Sequence, residues 1–126
     1  MADTSEADFA TIRAWLPTQT GRGTVHVTTH GADVFVGPEF TLKIKRPVAF
    51  AYMDFGSRKK RQEACLREIA VNRPAAPDIY LGVDRVTREP DGTLALNGRG
   101  DTLEYAVRMR SFPIEDTLDR MADAGR

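Results

Sequence analysis

Apolar and polar residues alternate from Phe40 to Lys45: Phe40, Leu42 and Ile44 take one parity, Thr41, Lys43 and Lys45 the other. Side chains two apart share a face of a strand, so this stretch predicts a β-strand with its lysines on one side. Pro47 lacks a backbone donor and restricts the residue before it, which ends the strand near Arg46. Upstream, 24–29 is alternating and β-branched and predicts a strand, 30–32 a turn, 33–36 a second strand, and Gly37-Pro38-Glu39 a turn into the lysine strand. Strands joined by such short turns form an antiparallel meander, because parallel neighbours need a long crossover. Before them, Phe9, Ile12, Trp15 and Leu16 recur at helical spacing. They predict a helix over 5–16, with Ser5 and Asp8 as a capping pair, ended by Pro17. Its apolar side packs on the sheet; the competing use of Phe9 and Trp15 is a partner surface.

After Pro47 the pattern changes. Residues 48–56 carry Phe50, Tyr52, Met53 and Phe55 and predict a connection lying against the body. Ser57 is placed to cap a charged helix over 58–73 whose apolar stripe is Cys65, Leu66 and Ile69. At about 100° per residue, Glu68 falls on the flank of that stripe, where a carboxylate can reach a strand. Pro74 and Pro77 close the helix. Residues 78–83 open a strand extending towards Arg88, Pro90-Asp91-Gly92 is a turn, 93–96 a short strand, Asn97-Gly98 a turn, and 103–110 a further strand. A final helix is expected over 114–124. Helices that do not alternate strictly with strands give an α+β fold: an antiparallel sheet of about five strands, one main helix between strands three and four, and a helix at each end.

Composition narrows the partners. At 126 residues, 41% hydrophobic and 29% charged, the chain fits one domain with a modest core. Eighteen basic residues balance eighteen acidic ones, which argues against a nucleic-acid partner. No apolar run approaches a membrane span, and the acidic start lacks the features of a signal peptide. The single Cys65 excludes an internal disulfide and points to a cytoplasmic protein. The basic run Arg58-Lys59-Lys60-Arg61 lies against the positive end of its own helix dipole, which suggests an anion or another domain as partner, against the plainer reading of a solvated helix start. No metal site is expected: His26 and His30 are four apart on a strand and turn, and no acidic cluster accompanies them. Asp54-Phe55-Gly56 spells the metal-binding triplet of protein kinases, but it precedes the Glu68 helix and is read as coincidence.

A strand lysine followed by a helix glutamate is how protein-kinase-like folds hold nucleotide phosphates. Four blocks narrow the likeness: 29–36 (Thr29 to Val36), 41–48 (Thr41-Leu42-Lys43-Ile44-Lys45-Arg46-Pro47-Val48), 76–83 (Ala76-Pro77-Asp78-Ile79-Tyr80-Leu81-Gly82-Val83) and 107–113. Together they resemble the small N-terminal lobe of the aminoglycoside phosphotransferase family, in particular bacterial proteins that join such a lobe to a P-loop ATPase domain. The resemblance implies a small lobe over about 24–113, with the start of a larger lobe from 114 to 126. It implies that Lys43 pairs with nucleotide phosphates, that Glu68 holds Lys43, and that the turn at Gly31 covers the phosphates. Arg108, Met109 and Arg110 would belong to the hinge beside the base, and Thr41 would lie under it. ATP or GTP with Mg²⁺ is implied only for the complete protein. The larger C-terminal lobe, and a P-loop ATPase domain where one is joined, are the implied partners. Lys45 shares the face of Lys43. Lys43 is favoured as phosphate ligand because Thr41 then lies under the base, whereas a choice of Lys45 puts the charged Lys43 there.

The same resemblance implies what else the chemistry requires. A catalytic aspartate and magnesium ligands come from the larger lobe, and no His-x-Asp loop occurs in the chain. The expectation is therefore a fragment, inactive alone, that binds nucleotide weakly. The rival from another class is a non-catalytic interaction module that keeps the fold, marked by an apolar contact surface at Phe50, Tyr52, Met53 or the final helix. A third reading, an anion or RNA binder at Arg58–Arg61, lacks both a basic excess and neighbouring aromatics to stack bases.

Overall fold

The computed structural model describes residues 3–50 and 53–111, with the backbone alone at Phe50 and Met53. Tyr52, the expected helix over 114–124 and the acidic residues within it lie outside the described residues.

Ser5 starts the first helix, α1 (Glu6–Thr20), by accepting from the Asp8 amide at 3.0 Å. The helix does not stop at Pro17, as the sequence suggested, but runs on to Thr20 with the proline inside. Proline removes only one donor, and the Gly21 amide closes the last turn on the Pro17 carbonyl at 3.1 Å. Gly21 takes φ 112°, a left-handed value that suits glycine at a helix end.

The strands follow as β1 (Val25–Thr28), β2 (Ala32–Val36) and β3 (Phe40–Lys45), an antiparallel meander as expected. The connection after β3 is not plain coil: β4 (Ala49–Phe50) and β5 (Met53–Asp54) pair as a small ribbon. Helix α2 (Arg58–Asn72) is capped by the Ser57 hydroxyl, which accepts from the Lys60 amide at 3.2 Å. Then come β6 (Tyr80–Arg88), β7 (Leu94–Leu96) and β8 (Asp101–Arg110). The main sheet has six strands in the order β1-β2-β3-β8-β6-β7, one more than expected, and all its pairings are antiparallel. The last strand thus enters the middle of the sheet, between β3 and β6.

Both faces of this sheet are covered. Phe9, Ile12 and Leu16 of α1 pack on Phe35, Leu42, Ile44, Val86 and Ala106. Cys65 of α2 packs on Ile79, Tyr80, Val107 and Met109 of the other face. The strand alternation therefore sorts correctly: Leu42 and Ile44 enter the α1 core, while Thr41, Lys43 and Lys45 face α2. The helix stripe sorts only in part: Cys65 is buried and Ile69 packs against the same cluster, but Leu66 is 52% exposed. Arg61 and Glu68 are buried beside Cys65, spaced four before and three after it, because both find opposite charges under the helix.

Candidate functional site

Strand β3 presents Thr41, Lys43 and Lys45 to α2 because every second side chain shares a face. About two helical turns along α2 from Arg61, Glu68 lies over this strand. The Lys43 ammonium donates to Glu68 Oε2 at 2.8 Å, and the Lys45 ammonium donates to Glu68 Oε1. All three side chains are buried, at 2%, 6% and 6% exposure. The expected Lys43–Glu68 pair is thus brought together, and Lys45 shares the same carboxylate.

The electrostatics follow from that arithmetic. Burial works to raise the Glu68 carboxyl, but the two ammoniums outweigh it and hold the group below the ordinary value of 4.5. Burial pushes Lys43 below 10.5; Glu68 pulls it back, and the Lys45 charge pushes it down again. Cys65 adds no negative charge, since burial raises its thiol to about 12. Two cations against one anion leave a surplus positive charge in a place shielded from water. Every buried side-chain nitrogen and oxygen among the described residues has a hydrogen-bond partner, yet an ammonium carries three donors and each lysine spends one on Glu68.

The remaining predicted residues divide between the two faces. Thr41 pairs in register with Met109, and Val34 and Val107 flank Lys43 on the neighbouring strands. Thr41 and Met109 are buried, and the Thr41 hydroxyl lies 2.8 Å from that of Ser111. Arg108 points to the opposite face, where its Nε donates to Asp84 at 2.6 Å and its guanidinium stacks 4.4 Å from the Phe40 ring centroid. Arg110 is exposed and donates to the Asp78 carbonyl at 3.1 Å. Side chains of Arg108 and Arg110 are therefore not part of the lysine face; only the backbone there adjoins Thr41. The turn at Gly31 is tied to the end of β3, because the Gly31 carbonyl accepts from the Arg46 amide at 2.8 Å. Arg46 also donates from its side chain to the carbonyls of Thr29 and His30, at 3.0 and 3.3 Å.

A second buried cluster was not foreseen. Arg61, 1% exposed, pairs with Glu104, 0% exposed, at 3.0 Å and with Asp3 at 3.1 Å. Burial raises the Glu104 carboxyl despite Arg61 and the Thr4 hydroxyl, which donates to it at 2.9 Å. The Asp3 carboxylate accepts from the Arg58 amide at 3.0 and 3.2 Å, so it caps α2. Asp3 thus brings one carboxylate to the start of the basic run. The one sequence signal was Glu104 within an otherwise apolar stretch of strand. Asp54 of the kinase-like triplet instead pairs with Lys60. His26 pairs with Asp33 at 2.9 Å. Among the described residues, no group of three or more His, Cys, Asp or Glu side chains is placed to hold a metal, and no helix is long and apolar enough to cross a membrane.

The chain is similar to uncharacterized proteins of Mycobacterium tuberculosis and Mycobacterium bovis. Each is 32% identical over 97 residues, covering 77% of this chain. The chain spans only 18% of the length of each of these relatives. No protein-family model and no solved structure matches it.

Proposed function

We propose that the chain is the nucleotide-binding small lobe of an aminoglycoside phosphotransferase-like kinase, inactive without its larger lobe. The observation that carries the reading is the buried lysine–glutamate cluster on the third strand of a meander, formed with the helix that follows it. A polyphosphate needs cationic donors held in a fixed place, and two ammoniums sharing one carboxylate supply surplus charge and unspent donors. Thr41 and Met109, paired across β3 and β8 and both buried, stand at one end of the lysine row, the end where the family resemblance puts the base. Any magnesium would be held by the larger lobe together with the phosphates. The acceptor of the phosphoryl group would also be chosen there.

Chemical-shift titration of the chain with Mg·ATP tests this, because it detects weak binding. Shifts concentrated at 41–45 and 108–111, lost in Lys43→Ala, are the expected result. A chain that gives no shifts at saturating nucleotide overturns the reading.

A further inference from the structure

Helices α1 and α2 cover opposite faces of the sheet, yet they meet. The pairing of β3 with β8 ends at Ile44–Ala106. Beyond that pair, Arg61 of α2 stands beside Glu104, with its guanidinium 5.0 Å from the centroid of the Phe9 ring in α1. We propose that α1, together with Asp3 and Thr4 before its cap, is a brace that fixes the position of α2, with Arg61 as the positioning residue through which it acts. The role is independent of what the lysine row binds, and α1 lies outside the stretch that resembles the phosphotransferase lobe.

Three observations carry it. First, Arg61 is tied in three directions. Its Nε donates to both oxygens of Glu104 at 3.1 Å, its Nη1 to the Phe55 carbonyl at 2.8 Å and its Nη2 to Asp3 at 3.1 Å. Arg61 and Glu104 are both fully enclosed, so the start of α2 cannot shift without breaking a buried ion pair, which is strongly unfavourable. Second, Thr4 fits an irregularity in β8. The pairing of β6 with β8 passes from Val86–Glu104 to Thr87–Thr102 and skips Leu103. The Thr4 hydroxyl is shared between the Leu103 carbonyl at that skip and Glu104, and its oxygen accepts from Arg58 Nε at 2.9 Å. Third, the Asp3 carboxylate takes both the Arg58 amide and Arg61, so two adjacent residues of the chain reach two residues about one turn apart on α2. Ser5 caps α1 immediately afterwards, which leaves little slack between these contacts and Phe9.

The charges agree with this arrangement. Arg58 and Arg61 meet Asp3 and Glu104, two cations against two carboxylates. One carboxylate belongs to the brace and the other to β8, so helix, sheet and chain start hold one another. Glu68 lies about two turns further along the same helix, so the brace that sets Arg61 also sets Glu68.

The test is NMR on the whole chain, reading the Glu68 carboxyl carbon and amide exchange along α2. Thr4→Val removes the hydroxyl and keeps the shape. Phe9→Leu keeps an apolar side chain and removes the ring beside Arg61. Both are expected to shift the Glu68 carboxyl signal and to speed exchange at 61–68 about fivefold relative to β3 amides, the size of one lost helix cap. Thr4→Ser keeps the hydroxyl and is expected to match the wild type in both readings. Ile12→Val, in the same buried core as Phe9, is the control for lost packing: it is expected to lower stability without moving the Glu68 signal. Unchanged signal and exchange in both Thr4→Val and Phe9→Leu overturn the proposal. An Ile12→Val protein whose Glu68 signal moves as far as that of Phe9→Leu also overturns it, because any loosening of α1 would then suffice.

Discussion

Glu68 shows how far one residue's environment departs from its sequence context. It lies among charged neighbours on a helix of low apolar content, yet it is buried and neutralised twice. Glu68→Ala leaves two buried ammoniums with no carboxylate, so a loss of about 3–5 kcal/mol is expected in urea unfolding. By contrast, Leu66 is exposed on the same helix, and Leu66→Ala should change stability by no more than about 0.5 kcal/mol. The reverse ranking would mean that the charged face of α2 is solvated and the apolar one buried. Strand parity and helical angle, which are local properties, placed Lys43 and Glu68 on facing surfaces, and the family resemblance paired them. The full engagement of Lys45 was not legible in the sequence, because parity shows which face a side chain takes but not how many partners await it there.

At the level of elements, α2 begins with four consecutive basic residues at the end of the helix where backbone amides already concentrate positive charge. Asp3 and the Ser57 cap answer that conflict from two directions. Asp3→Ala removes the carboxylate from the Arg58 amide and from Arg61; a loss of about 0.5–2 kcal/mol is expected, as for other helix caps. The loss should be accompanied by faster hydrogen exchange at 58–61, and unchanged exchange there would remove Asp3 as a cap. The close approach of α1 to the β2–β3 turn sets a second local demand. A Cβ on Gly37 would lie 2.3 Å from the Thr20 carbonyl oxygen and 2.8 Å from that of Phe40. Gly37→Ala is therefore expected to lower the melting temperature measurably, since backbone on both sides must move.

Across the whole molecule, acid should unfold the chain through its paired carboxylates. Burial opposes ionisation of Asp33, but Arg13, His26 and Thr28 overcome it and keep the group below 3.8. Glu68 is likewise held below 4.5. A carboxyl depressed in the folded state binds fewer protons there than when unfolded, so its contribution is present above the unfolded value and lost as pH falls through the folded one. Glu104, raised by burial, acts in the opposite sense: it costs stability above its folded value and relieves that cost as pH falls. The depressed carboxyls, Asp3, Asp8, Asp33 and Glu68 among them, outnumber the one raised carboxyl at Glu104, so the melting temperature should drop as pH is lowered below about 4. Glu68→Gln should flatten part of that drop; an unchanged acid limb would show that Glu68 is not held ionised by the lysines.

The sequence by itself determined most of the elements and the face to which each strand residue points, because these depend on spacing along a strand or helix, which is a property of neighbouring residues; the pairing of Lys43 with Glu68 came from the family resemblance. The tertiary structure decided the insertion of β8 between β3 and β6 and the ribbon of β4 and β5. It also decided the burial of Arg61 against Glu104 and Asp3, and the separation of Arg108 and Arg110 from the lysine face. Those depend on which distant segments meet, and a charged side chain is buried only where folding brings an opposite charge to it.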